Sequence, residues 1–334
     1  MIKVALDAMG GDYAPSVCIE GAVNAVKKNS DIHVVLCGPE AEVKASLEKL
    51  GYAGNQISVV DAPDPVAMDE HPVMVVKKKQ HSGLVTCVAL QKKGLVDASV
   101  SAGNSGAMMA SCLMILGKSC DEFSRPPIGV ALPTKDRRIV LVDGGANVDE
   151  RASTLVDFAI AGSAFAEAFL GIENPKVGLL NMGEEEHKGP AVLQEAYQLL
   201  KSAPVNFMGN IEGRDLIAGK ADLIAGKADV VATSGYTGNV VLKLLEGFFE
   251  MHQEMFGTID SPAGKRFAEM WDYRATGGAL LLGLNGIGII AHGRSDAIAI
   301  EKAVEAAAKY AEADVANKVN ERLAAIKSEE APKA

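Results

Sequence analysis

What the chain has little of narrows its work before any motif is found. Positive charge is in deficit: 33 Lys and Arg stand against 43 Asp and Glu, a net charge of −10. That is the wrong sign for an overall attraction to nucleic acid or to an anionic membrane surface. Aromatic residues make up only 5%, too few for a platform that stacks single-stranded bases. The five cysteines, Cys18, Cys37, Cys87, Cys112 and Cys120, form no CxxC pair and no Cys/His cluster with zinc spacing. An odd number scattered through apolar segments reads as buried, reduced thiols. No basic segment leads into a short apolar stretch near residue 1, so the expectation is a cytoplasmic chain without a secretory signal. The longest uncharged run, residues 98–117, has only 12 apolar residues in 20 and is interrupted by serines and an asparagine, which argues against a membrane span.

Familiar nucleotide and hydrolase motifs are missing too. No GxGxxG follows an apolar run, and Gly117-Lys118-Ser119 lacks the first glycine of a P-loop, Cys112 standing in its place. Gly103-Asn104-Ser105-Gly106-Ala107 falls one glycine short of a nucleophile elbow, with no Asp/His order behind it.

What is present is alternation. Continuous apolar runs at 2–6, 32–37, 98–101, 128–132, 139–142, 176–180, 205–208 and 229–232 read as strands covered on both faces. Amphipathic stretches at 16–28, 40–50, 154–170 and 190–201 read as helices between them. The pattern predicts an α/β fold with a largely parallel sheet and helices on both sides. Ser295 reads as the N-cap of one long C-terminal helix whose stripe runs from Ile300 through Val304, Ala308, Ala311, Val315, Val319 and Leu323 to Ile326. No linker divides the chain, so the expectation is a single domain over 1–327, with a smaller lobe or helical hairpin around 240–275 and a frayed tail at 328–334.

In parallel sheets, ligands sit beyond the C-terminal strand ends. Five of those ends are Gly-rich here: Asp7-Ala8-Met9-Gly10-Gly11-Asp12, then Ala102-Gly103-Asn104-Ser105-Gly106-Ala107, then Asp143-Gly144-Gly145-Ala146-Asn147. Asn181-Met182-Gly183 with Lys188-Gly189 follows, and last Thr233-Ser234-Gly235-Tyr236-Thr237-Gly238-Asn239. Each alone is ordinary turn chemistry. Together they offer backbone amides and side-chain carboxamides that bind oxyanions without needing net positive charge.

These motifs, in this order, resemble the PlsX-type phosphate acyltransferases, enzymes that transfer an acyl group from acyl carrier protein to phosphate in bacterial phospholipid synthesis. The Asp7–Asp12 signature carries most of the resemblance, supported by Ile289-Ile290-Ala291-His292-Gly293 near the end. The likeness extends to about residue 325. It implies a three-layer α/β/α fold like isocitrate and isopropylmalate dehydrogenases and phosphotransacetylases, a homodimer, and peripheral membrane association. It also implies a reaction in which inorganic phosphate attacks the acyl thioester, giving acyl phosphate and free carrier protein.

For that reaction the catalytic candidates are Asn104, Asn147, Lys188, Asn239 and His292. The three carboxamides would stabilise the tetrahedral oxyanion, Lys188 would add positive charge, and His292 would protonate the departing thiolate. The phosphate-binding candidates are Asp7, Gly10, Gly11, Asp12, Gly103, Gly106, Gly145 and Gly238. No cofactor and no metal are expected, since Asp143 and Asp149 in a Gly loop make a weak ligand pair. Phosphate needs positioning more than activation. The family usually has Asp where Ser234 stands, which puts a charge-dependent role there in doubt.

The alternatives are a phosphotransacetylase-like enzyme using short acyl-CoA, and a non-catalytic scaffold binding carrier protein or lipid. Lys77-Lys78-Lys79, Lys92-Lys93 and Lys265-Arg266 are candidate docking points for an acidic carrier protein. Apolar residues between Val240 and Trp271, Phe249 and Phe256 among them, suggest a hairpin whose tip near Gly257-Thr258 meets a membrane. An exact tandem repeat, residues 215–221 and 222–228, is expected to be absorbed as extra helix or a surface bulge remote from the Thr237–Asn239 turn.

Overall fold

The computed structural model describes residues 1–119, 126–134, 137–218, 228–257, 260–272 and 277–330. Its strands are β1 (Ile2–Asp7), β2 (Ile32–Gly38), β3 (Ile57–Asp61), β4 (Ala98–Ser101), β5 (Ile128–Pro133), β6 (Arg138–Val142), β7 (Lys176–Leu180), β8 (Asn206–Ile211), β9 (Val230–Ala232), β10 (Ala279–Leu281) and β11 (Ile287–Ile290). Its helices are α1 (Ser16–Lys28), α2 (Glu40–Lys49), α3 (Pro72–Lys78), α4 (Gly83–Lys92), α5 (Ser105–Ser111), α6 (Ala152–Phe165), α7 (Ala191–Ser202), α8 (Asp215–Ala218), α9 (Gly235–Phe256), α10 (Pro262–Trp271), α11 (Ala297–Glu312) and α12 (Val315–Glu330). They fall into two compact units, Met1–Ser119 with Thr276–Asn317, and Cys120–Ala275 with Lys318–Ala334. The single span of 1–327 read from the sequence therefore covers both.

In the first unit the strand order is β3-β2-β1-β4-β11-β10. Every neighbouring pair is parallel except β10 and β11. Val4, Ala5 and Leu6 of β1 are all fully buried, because helices cover both faces of the strand. On one side Ala5, Val35 and Cys37 pack against Cys87 of α4. On the other side lie α1 and α11, which approach so closely that a Cβ on Gly21 would sit 2.7 Å from Ile300 Cβ and 2.8 Å from the Ala297 carbonyl.

The second unit has the order β5-β6-β9-β7-β8, with β5 and β6 antiparallel and the rest parallel. Helix α6 lies on the sheet through Gly162, where a Cβ would come within 2.5 Å of Val230 and 2.8 Å of Val142. With the wider final turn that continues it to Leu170, α6 is long and apolar enough to cross a membrane. Phe158 and Phe165 are nevertheless fully buried, as in the core helix of a packed domain. Helices α9 and α10 meet through Phe249 and His252 against Phe267, with ring centroids 6.5 and 4.7 Å apart.

Several boundaries differ from the sequence reading. The run at 98–117 is divided between β4, α5 and a wide turn. Strand β3 was not anticipated, being a half-exposed edge without a continuous apolar run, nor was β10, with only three residues. The C-terminal stripe belongs to two helices: Asp314 takes φ 54° between α11 and α12, a left-handed conformation that ends the first. Asp296, not Ser295, caps α11, its carboxylate accepting from the Ala299 amide at 2.9 Å. The last helix continues through Ser328 to Glu330, so the expected tail begins later; residues 331–334 lie outside the described residues. Most of the tandem repeat, residues 219–227, also lies outside them.

The tight α1–α11 contact gives a direct test of the packing. Gly21→Val forces a branched side chain onto Ile300 and the α11 backbone, and overpacking of this kind costs about 1–3 kcal/mol. The urea midpoint should fall accordingly. A variant as stable as the parent would show that the two helices are not in close contact.

Candidate active site

In the first unit the site grows from the end of β1. Asp7 stands between β2 and β4 and is 3% exposed. Its carboxylate accepts from the Ser101 hydroxyl at 2.7 Å and from the Met9 amide at 3.1 Å. The Ser101 oxygen in turn accepts from the Gly103 amide at 3.0 Å. Burial raises the Asp7 carboxyl from 3.8 to about 6, against the smaller pull of those two hydrogen bonds. A folded value above the ordinary one means that protonation favours the fold. The stabilisation is complete below pH 3.8 and is lost as pH rises through about 6. Keeping Asp7 ionised at neutral pH costs on the order of 3 kcal/mol.

Gly10 and Gly11 follow because nothing larger fits. A Cβ on Gly10 would lie 2.7 Å from the Gly103 nitrogen and 2.8 Å from the Asp7 carboxylate, and Gly11 has φ 104°. The Asp12 amide donates to the Gly293 carbonyl at 2.8 Å, so the β1 loop is tied to the turn after β11. The Asp12 carboxylate is exposed and does not cap α1, whose N-cap, Pro15, has no side-chain acceptor. Among the described residues, nothing accepts from the Gly10 and Gly11 amides.

Asn104 is committed. Its Oδ1 caps α5 by accepting from the Ala107 amide at 2.9 Å. Its Nδ2 donates to the carbonyls of Ala67, Met68 and Glu70 at 3.3, 3.0 and 2.9 Å. It pins the 67–70 segment, which Glu70 closes by accepting from the Ala67 amide and from Lys79, each at 2.6 Å. Gly103 donates to Ser101, and Gly106 packs on Pro72, with room for no Cβ. His292 is exposed, and its Nδ1 accepts from the Arg294 amide at 3.1 Å, which places the neutral ring's proton on Nε2.

The second unit has its own centre at Asp143, fully buried after β6. One carboxylate oxygen accepts from the Ile128, Gly145 and Ala146 amides, the other from the Asn147 amide and side chain at 2.8 Å. The second Asn147 proton goes to the Pro126 carbonyl at 3.4 Å. Asn147, like Asn104, is therefore a structural brace, and the Gly145 amide is committed as well.

The first turn of α9 lies directly on this loop. Cβ atoms on Gly235 and Gly238 would overlap the Asn147 and Asp143 carbonyls, so both positions need glycine. The Gly238 amide donates to the Ser234 carbonyl at 2.7 Å. Asn239 is exposed over Gly145, and its carboxamide bonds nothing among the described residues. Lys188 lays its stem on Gly183, and its ammonium has no ion pair among the described residues. Ser234 caps α9 by accepting from the Thr237 amide at 3.0 Å. Its hydroxyl donates to Thr237 Oγ1 at 2.9 Å, and the nearby Glu150 carboxyl is raised mainly by burial. A neutral cap with a neighbouring carboxylate thus stands where the family has Asp.

Of the residues proposed from sequence, Gly10, Gly11 and Asp7 cluster with His292's turn in the first unit. Asn239 and Lys188 keep uncommitted polar groups in the second. Sequence reasoning did not pick out Ser101 or the role of Asp143, although an acidic residue at a strand end before two glycines is a signal for a loop gathered on its carboxylate. The division between bracing and free asparagines can be measured. Asn104→Ala should lower stability by about 1–3 kcal/mol through the lost cap and orphaned carbonyls, while Asn239→Ala should stay within about 0.5 kcal/mol. Equal effects in urea titrations would remove the distinction.

The comparisons with known proteins agree with this architecture. The family model described as "Fatty acid synthesis protein" matches residues 2–318. The phosphate acyltransferase of Desulforamulus reducens is 42% identical, covering 97% of this chain and 98% of its own. That of Dictyoglomus turgidum is 41% identical over 96% and 98%. A solved phosphotransacetylase from Streptococcus pyogenes aligns with TM-score 0.64 at 21% identity, covering 93% of this chain and 94% of its own. A 4-hydroxythreonine-4-phosphate dehydrogenase from Klebsiella pneumoniae aligns at 0.57 and 12% identity, over 93% and 99%. The last two are similar in fold alone, and they support the dehydrogenase-like α/β/α class. On the full-length match of its sequence, the chain belongs to the fatty acid synthesis protein family, that of the phosphate acyltransferases.

Proposed function

We propose that this protein moves a fatty acyl group from acyl carrier protein to inorganic phosphate, supplying acyl phosphate for phospholipid synthesis. The observation that carries the reading is the match, over 97% of the chain, to a relative named phosphate acyltransferase. The uncommitted Gly10 and Gly11 amides suit it, since an acidic chain must hold an anion by directed N–H groups.

In the proposed reaction a phosphate oxygen attacks the thioester carbon and the carbonyl electrons move onto oxygen. Collapse of that intermediate breaks the C–S bond, leaving acyl phosphate and the carrier protein's thiolate. The thiolate takes its proton from solvent, and His292, with its proton on Nε2, can donate a hydrogen bond to the departing sulfur. Asn239 and Lys188 are the second unit's candidates for activity-bearing groups; Asn104 and Asn147 brace loops instead.

The short acyl-CoA alternative rests on solved structures at 21% identity, which share the fold alone. Incubation with palmitoyl carrier protein, with and without phosphate, and separately with acetyl-CoA, tests all three readings. Phosphate-dependent acyl phosphate from the carrier protein is expected. Activity with acetyl-CoA alone would transfer the chain to the alternative, and no thioester cleavage at all would leave a scaffold.

For the carrier protein we propose α3 as the docking helix. Val73, Met74, Lys77 and Lys78 are exposed and share one side by their spacing. Lys79 is engaged by Glu70 and by the Pro65 carbonyl, so it does not belong to that surface. Lys77→Ser with Lys78→Ser should raise the carrier-protein KM at low salt and leave the phosphate KM alone. An unchanged carrier-protein KM would sink this assignment.

For location we propose a cytoplasmic homodimer with peripheral membrane contact. Tyr236, Val240, Leu244, Phe248, Met251 and Met255 are exposed along one side of α9. Phe249, one residue round the helix, is buried against Phe267 and is not part of the stripe; Thr258, at the expected tip, lies outside the described residues. Phe248→Ser with Met255→Ser should release the protein from sedimenting anionic vesicles. Unchanged vesicle binding with loss of the dimer in light scattering would assign the stripe to a second copy.

A further inference from the structure

Asp7 is an unfavourable group to keep ionised where it stands. It is 3% exposed at the end of a central strand, and no cation among the described residues offsets it. The titratable groups around it are Cys18 from α1 and Cys87 from α4, both pushed up by burial, Cys37 of β2 beside Cys87, and Asp64, which lines the same small pocket. Gly83 at the start of α4 is so close that a Cβ there would overlap the carboxylate. A group needed only to fill this place would be apolar or an amide.

What the carboxylate holds is specific. One oxygen accepts from the Met9 amide, the first link of the Gly10–Gly11 loop. The other accepts from Ser101, whose oxygen receives the Gly103 amide of the next loop. Gly10 lies between them, with space for a Cβ on neither side. The Cys18 thiol donates to the Gly10 carbonyl at 3.2 Å, fixing that peptide from behind. The Gly10 and Gly11 amides themselves have no acceptor among the described residues.

We propose that ionised Asp7 and Ser101 form a positioning pair, which aims the Gly10 and Gly11 amides at the phosphate without touching it. This rests on the phosphate-acceptor reading above. When Asp7 takes a proton, the O–H must donate, and the carboxyl no longer accepts fully from both Ser101 and Met9. The two loops then lose their common anchor. The carboxyl titrates at about 6, so the anchored arrangement is complete above that pH and is lost below it.

Two measurements test the pair, one of them independent of activity. In the full-length protein, Asp7→Asn and Ser101→Ala should each speed hydrogen exchange at the Met9 and Gly103 amides at least tenfold. At neutral pH, Asp7→Asn should also melt no lower than the parent, because it removes a buried charge. A group with only a structural role would lower the melting temperature and loosen the whole unit. That result would overturn the proposal.

The second measurement is the phosphate KM as a function of pH. Phosphate itself titrates in this range, so the comparison is between variants. Ser101→Ala removes a hydrogen bond that favours the anion and should move the acid limb to higher pH, with Ser101→Thr restoring it. Asp7→Asn should keep only the limb that belongs to phosphate and show a raised KM throughout. An acid limb unmoved in Ser101→Ala would also overturn the proposal. If the parent shows no phosphate-dependent activity, the function reading falls while the exchange data still decide the positioning claim.

Discussion

Buried carboxylates at the ends of parallel strands are what the loops of both units depend on. A parallel strand covered on both faces leaves its C-terminal loop with backbone amides that no ladder satisfies. Asp7 and Asp143 each turn a carboxylate into that space and collect those amides. Asp143 does so with five donors, three to one oxygen and two to the other. Asp7 has two. The first is a well-satisfied acceptor, around which a loop closes tightly enough to exclude any side chain on Gly238. The second is under-solvated, and its raised carboxyl records the difference.

Glycine enters as the complement of those carboxylates. Gathering a loop around a buried acceptor brings neighbouring backbones within contact distance. Gly10 meets the Gly103 nitrogen, and Gly235 meets Asn147, with no room for a Cβ in either place. The Gly-rich character of the motifs is thus partly a packing requirement and only partly a ligand requirement. Three of the six glycine amides named as phosphate donors from sequence are committed inside the protein: Gly103 to Ser101, Gly145 to Asp143, Gly238 to Ser234. Gly10, Gly11 and Gly106 have no acceptor among the described residues.

The strands and the loops between them were legible because continuous apolar runs ending in glycine have few other meanings. The task of each polar residue was less so. Asn104, Asn147 and Asn239 look alike in their motifs, yet two brace loops and one is exposed. For Asn104 the sequence did hold a signal, since Asn directly before a helix is a favoured N-cap. For Asn147 the signal was Asp143, four residues earlier and ahead of two glycines, whereas its other partner, the Pro126 carbonyl, is remote in sequence. Helix register was the other gap. One position turns a helix by about 100°, enough to put Phe249 in the core while Phe248 is exposed, and to make Lys79 a clamp while Lys77 and Lys78 face solvent.

An acidic protein reading an anionic substrate has a further constraint. Cationic side chains close to a phosphate would serve binding, but at the proposed phosphate site the first unit offers the Gly10 and Gly11 amides and, beside them, the Asp7 carboxylate. A charge in front of the amides would repel the ligand. Asp7 instead lies behind the loop, accepting from the Met9 amide and from Ser101, so the field it adds is partly cancelled by the donors it orients. The fold loses stability by keeping that charge, and the loss falls where the loop must be held rigidly with its amides unsatisfied. Stability and site geometry are set against each other at one residue. That is the usual form of the compromise when donors must stay open for a ligand that is present only part of the time.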